Sequence, residues 1–278
     1  MEDNWLSINH IEEQEIDIQS KTEEFFGKGR NGFCDYALNS IELMIHGVLY
    51  LRDNDKFIDE NKNQYNDFKH ALRIFSYLHY QRIIYTFKAS YNLLLQGYYT
   101  ESANLMRHVV ETFVRLRYIA KEESIDLVNK ALFGHRGNKG KKFNVTHKEQ
   151  FDDIAPGLYR YYRILCDIAH GSMASHILKL NISKEKLNFD TGIVFRPEES
   201  TFVINQCSVY LLAHIEFMTW IFPEIKKKMF EGYAIKYHET LSILWSLMKD
   251  ISGCEQDKKW YEAVQHLVKI QEKEKEAV

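Results

Sequence analysis

The residues best placed to do chemistry stand in one short segment, Leu158 to Ser172 (LYRYYRILCDIAHGS). Wound as a helix at about 100° per residue with Arg163 as the origin, Tyr159 falls at about −40°, Asp167 at about 40° and His170 at about −20°. Four polar groups thus share one narrow arc. Leu158, Tyr161, Ile164, Leu165, Ile168 and Ala169 fall opposite, between about 100° and 240°. The predicted helix is therefore amphipathic, with an apolar back for a core and a polar arc for water, a partner or a substrate. Arginine carries a permanent charge and histidine titrates near neutrality. Held two turns apart, the pair suits phosphodiester cleavage without a metal. Arg163 would neutralise charge gathering on the phosphate, while His170 takes a proton from a ribose 2′-hydroxyl or gives one to the leaving oxygen. Asp167, one turn before His170, is placed to orient the imidazole or favour its charged form. The same residue types also occur on the wet face of an ordinary amphipathic helix, so spacing alone leaves a plain solvated face open.

Such an arc needs rigid elements behind it, and the composition points to helices. Only 3 Pro and 13 Gly occur in 278 residues, so few positions force a turn. From Gln64 to Gln96 apolar and aromatic residues recur at three-to-four spacing (Phe68, Leu72, Phe75, Leu78 or His79, Ile83, Phe87, Tyr91, Leu94) with no Gly or Pro, which predicts one long helix. Gly97 supplies a stop and Thr100 a cap for a second helix over about Glu101 to Ala120, with Leu105, Val109, Phe113, Leu116 and Ile119 facing the core. The short link makes the two an antiparallel hairpin. Earlier helices are expected over Ile8 to Phe26 and Asp35 to Leu51, separated by GKGRNG. Pro156 opens the helix of the polar arc. Helical spacing returns from Thr201 to Phe222, again after Pro223 to about Asp250, and from Asp257 to the charged end. The polar interval Asn181 to Glu199 reads as a loop or as a small β-hairpin insertion near 180–196. The fold class is all-α, a bundle with a long central helical hairpin.

A formal charge of −3 announces no protein-wide basic field for nucleic acid. The charge is uneven, however. Residues 1–26 hold eight carboxylates against Lys21, leaving −7 there and +4 over the rest. Between Gly134 and Gln150 the apolar period lapses and Arg136, Lys139, Lys141, Lys142 and Lys148 gather against Glu149. That loop reads either as a solvated connection or as a phosphate-contacting segment of RNA-binding cations, Arg136, Lys139, Lys141 and Lys142. With 45% hydrophobic and 27% charged residues the chain resembles an ordinary globular protein. No apolar run is long enough for a bilayer and the acidic amino terminus lacks a secretory pattern, so no membrane partner and a cytoplasmic location are expected. Four scattered cysteines form no C-x-x-C, and neither Cys166, His170 and His176 nor His135 and His147 have a zinc spacing, so no metal or other cofactor is expected.

Arg107, Glu111 and Arg115 recur every four residues. They read as surface ion pairing along a helix or as support for the same cleft as Arg163 and His170, with Glu111 holding an Arg in place. Tyr77, Tyr80, Tyr85, Tyr91, Tyr98 and Tyr99 are expected to pack in a core or interface, with base stacking as the alternative.

Arg163, six residues and then His170, near the end of an aromatic-rich helix, resembles the R-x(4-6)-H signature of the HEPN superfamily. Arg107 to Tyr118 (RHVVETFVRLRY) resembles an Arg-x-x-x-Glu helix that accompanies the motif in some uncharacterised bacterial members. The resemblance spans about Phe68 to Phe222. It implies an up-and-down helical bundle that dimerises and brings two copies of the Arg and His arc into one cleft. It further implies a metal-independent ribonuclease of a toxin–antitoxin or antiviral-defence system, with RNA as substrate, an antitoxin or regulatory protein as a further partner, and 2′,3′-cyclic phosphate products. Where many active members carry a polar residue directly after the Arg, this chain has Ile164. Other members are inactive and bind nucleotides or proteins, and a non-catalytic binding module is the alternative function. The division expected is an acidic segment over 1–33, a HEPN-like core over 34–222, and carboxy-terminal helices over 223–278 packed on it. Within the site, Arg163, His170 and Asp167 are the catalytic candidates, and Arg107, Glu111 and Tyr159 the candidates for cleft support.

Overall fold

A computed structural model describes residues 8–26, 33–54, 65–133, 145–169, 180–182, 187–189, 195 and 197–225. The architecture is an all-α helical bundle. Its helices are α1 (Ile8–Phe25), α2 (Phe33–Asn54), α3 (Phe68–Leu95), α4 (Tyr99–Glu122), α5 (Ile125–Phe133), α6 (His147–Ile154), α7 (Tyr159–Ala169) and α8 (Pro197–Ile221). Two short antiparallel strands, β1 (Leu180–Ile182) and β2 (Leu187–Phe189), pair Leu180 with Phe189 and Ile182 with Leu187. They lie within the expected hairpin insertion. The helices expected beyond residue 225 lie outside the described residues.

Local chemistry explains the helix ends. Asp67 Oδ1 accepts from the His70 amide at 2.6 Å, so α3 starts at Phe68 rather than at Gln64. At its other end Gly97 has φ 86°. The Tyr98 amide reaches the Leu93 carbonyl at 2.8 Å and the Gly97 amide the Leu94 carbonyl at 3.2 Å, the pair of bonds that closes a Schellman turn. Because that turn is tight, the Tyr98 carbonyl already takes the Ser102 amide at 2.9 Å and α4 begins at Tyr99. Thr100 therefore sits inside the first turn and is not the cap. Replacing Gly97 by Ala is expected to cost about 1–2 kcal/mol, since a Cβ opposes positive φ; the urea midpoint measures it, and an unchanged midpoint would refute the role given to this glycine.

The chain divides into two compact units, and α2, α3, α4, α7 and α8 each contribute to both. Unit 1 comprises Met1–Ile45, Gln81–Val110 and Tyr162–Ala213. Its core takes Ile18 from α1, Ile41 and Met44 from α2, Ile84 and Phe87 from α3, Met106 and Val109 from α4, and Val203 and Tyr210 from α8. Burial of polar groups there is offset by hydrogen bonds. Ser90 and Ser102 exchange bonds of 2.7–3.0 Å across the α3–α4 hairpin. Tyr98 donates to Glu15 at 2.6 Å, which together with partial burial pushes its phenol up to about 12.

Unit 2 comprises His46–Tyr80, Glu111–Tyr161 and His214–Val278. Leu72 and Phe75 of α3, Phe113, Leu116 and Ile119 of α4, Val128 of α5, Phe151 of α6 and Phe217 of α8 are buried in it. Tyr80 donates to the His214 carbonyl at 3.0 Å, and the Asn129 side chain bonds both backbone groups of Tyr65, at 2.8 and 3.0 Å. Arg73 pairs with Glu224 and lies 4.9 Å over the Phe222 ring.

Of the alternatives Leu78 and His79 on α3, Leu78 is exposed and His79 is half-buried, its ring 4.1 Å from that of Phe75. Two expectations need correction. Tyr77, Tyr80, Tyr91 and Tyr99 are buried as expected, but Tyr85 is 74% exposed because it lies on the outer face of α3 with Gln81, Arg82 and Lys88. Residues 147–150 are not loop: they open α6, for a reason given below.

Candidate functional site

Helix α7 is built as its spacing requires. A 3-10 turn over Pro156–Leu158 leads directly into it. Leu158, Tyr162, Leu165 and Ile168 are buried, whereas Arg163 and Asp167 are exposed and Tyr159 is intermediate. The buried residues centre on the side opposite Arg163, so the apolar back is present and Tyr159, Arg163 and Asp167 lie away from it. Two positions depart from expectation. Ile164, read as part of the back, is 36% exposed. Tyr162, omitted from it, is buried. The buried face is rotated toward Tyr162, which leaves Ile164 at its edge, next to Arg163. His170 lies outside the described residues, as do Arg136, Lys139, Lys141 and Lys142.

Of the supporting residues, Arg107 and Glu111 are both half-buried on α4. The contact of Glu111 that sequence spacing did not disclose is with a histidine. His147 Nε2 of α6 stands 3.9 Å from Glu111 Oε1, their side chains 31% and 18% exposed. Arg115, half-buried, is one turn beyond Glu111 on α4. Helix α6 presents His147 through a capping box. The Thr146 hydroxyl accepts from the Glu149 amide at 3.3 Å, and the Glu149 carboxylate accepts from the Thr146 amide at 2.7 Å. The Thr146 amide and, at 2.8 Å, the Thr146 hydroxyl both donate to the Glu149 carboxylate and hold it below its usual range.

Three residues on from His147, Gln150 is fully buried. Its Nε2 donates to the Val145 carbonyl at 2.9 Å, which fixes the amide orientation, because a flip would set oxygen against oxygen. Its Oε1 is buried without a hydrogen-bond partner. The signal for this cluster was in the sequence: Thr146-His-Lys-Glu149 is a capping box, and reading it would have placed His147 and Gln150 on one helix face. Elsewhere Lys121 of α4 pairs with Asp153 of α6. Among the described residues no group of three or more His, Cys, Asp or Glu is arranged to hold a metal ion, and no helix is long and apolar enough to cross a membrane.

Over residues 72–158 the chain is similar to a family of unknown function, DUF5677. The matched stretch contains Arg107, Glu111, Arg115, His147 and Gln150 and ends before Arg163. No curated protein and no solved structure matches the chain.

Proposed function

We propose that this protein is a metal-independent endoribonuclease of HEPN type, acting as a homodimeric toxin or antiviral-defence effector. The observation that supports it is the α7 arc: Arg163 and Asp167 are exposed on a helix whose opposite face, Leu158, Leu165 and Ile168, is buried. A guanidinium held on a rigid helix meets the need of phosphodiester cleavage for fixed positive charge where the phosphorane builds up. His170 supplies general acid–base catalysis, and Asp167 orients it. Arg136, Lys139, Lys141 and Lys142 contribute RNA phosphate contacts.

A second reading has its own support. Ile164 puts apolar surface beside Arg163, and the family match stops at 158; both favour a non-catalytic module that binds a partner protein or a nucleotide. One experiment separates the two. Purified protein is incubated with RNA in EDTA and the product ends are analysed. Cleavage leaving 2′,3′-cyclic phosphates supports the ribonuclease; intact RNA with a folded protein, over a range of RNAs, supports the binding module.

A further inference from the structure

We infer that the outer face of α3 within unit 1, built by Arg82, Tyr85, Lys88 and Asn92, is a docking surface for single-stranded RNA, with Tyr85 as the platform on which a base stacks. The first observation is charge. From Phe68 to Leu95 the helix contains no Asp or Glu, although the whole chain holds 39. A carboxylate-free helix of 28 residues offers a polyanion no repulsion of its own. The second observation is the ring. Tyr85 is 74% exposed, more than any other large apolar side chain among the described residues. Arg82 and Lys88, both exposed, flank it three residues before and three after, about 4.5 Å along the axis to either side and about 60° around it. The Lys88 ammonium is steadied there by the Tyr91 ring, whose centre is 5.7 Å away. The third observation is the open space beside the ring. A helical side chain leans back over the turn before it, so the residue that would cover Tyr85 is Ala89, which is exposed and contributes only a methyl. Asn92 follows on the same exposed face, and its amide can both donate to and accept from a base edge. An exposed π face between two cations suits a single strand: the base stacks on Tyr85, and the phosphates on either side meet the guanidinium and the ammonium. Bases paired in a duplex cannot reach the ring. An acidic polypeptide would satisfy the two cations but leave the ring unused. The choice of RNA over DNA rests on the ribonuclease reading, whose Arg163 belongs to the same unit.

Fluorescence anisotropy of the full chain with a labelled 2′-O-methyl oligoadenylate of about twelve nucleotides tests this apart from cleavage, since that probe has no free 2′-hydroxyl to attack the phosphate. Binding is expected, and Tyr85→Ala should weaken it about fivefold or more, while Tyr85→Trp keeps it. Arg82→Ala should weaken it too and lower the slope of log affinity against log salt by about 0.7, the share of one phosphate on a single strand. Circular dichroism checks that each variant, altered only at an exposed position, keeps its helices. Absence of binding by the wild type overturns the inference. So does binding by Tyr85→Ala equal to that of the wild type, and so does displacement of the probe by polyglutamate as effective as by unlabelled probe, which would assign the face to an acidic protein. Cleavage of ordinary RNA together with unaltered binding by Tyr85→Ala sinks the docking surface alone. Tyr85-dependent binding without cleavage sinks the ribonuclease alone and leaves the surface standing.

Discussion

Replacing His170 by Ala is expected to lower RNA cleavage by about 10²- to 10⁴-fold, the contribution of a positioned general acid or base. Helicity and oligomeric state should remain those of the wild type, because the predicted arc points away from the apolar back formed by Leu158, Leu165 and Ile168. Arg163→Ala should cost about 10²- to 10³-fold for a different reason, the loss of charge stabilisation in the transition state. Arg163→Lys should recover little, since an ammonium lacks the planar fork that grips a phosphate. Single-turnover rates in EDTA measure all three. Cleavage undiminished in the His170 variant would falsify the mechanism, whatever the behaviour of Arg163.

The largest stability effect is expected at Phe113. This ring, 3% exposed, meets the His214 ring edge-on at 5.3 Å and the Phe217 ring at 6.3 Å. Phe217 in turn lies 5.3 Å beneath the Arg117 guanidinium. Truncation to Ala removes the buried ring and opens a cavity among neighbours that cannot collapse into it, for about 3–5 kcal/mol. Part of that loss is the aromatic geometry itself, about 0.5–1.5 kcal/mol per pair beyond buried area. Phe113→Leu keeps most of the volume and should cost clearly less. Urea unfolding of the three proteins, compared at constant slope, gives the values. A loss below about 1 kcal/mol for Phe113→Ala would show that the site relaxes and that the core there is not close-packed.

Periodicity and punctuation made much of the fold legible. Helices α1 to α4, α7 and α8 follow the apolar spacing, and Gly97 and Pro156 mark an end and a start where their backbone chemistry requires, whereas α8 begins at Pro197, ahead of the expected Thr201. The buried back and exposed arc of α7 were equally legible, because both are properties of one helix and one period. Helix α5, only nine residues long, is too short for its period to stand out, and the basic residues before α6 mask its capping box.

What the sequence determined by itself was therefore local: where helices run, how they stop, and which residues share a face. Tertiary structure alone decided how wide each buried face is. Helix α8 is buried on nearly all sides, through Ile204, Gln206, Cys207, Ser208, Val209 and Leu212, although its spacing alone predicts only one apolar stripe. Conversely, Leu78 and Ile164 are apolar residues at the margins of their stripes and are left in contact with water. Tertiary structure also decided that Glu111 meets His147. The reason is the same in each case. Groups three or four residues apart on a helix are placed by its own geometry, whereas groups on different helices are placed by the packing of every side chain between them.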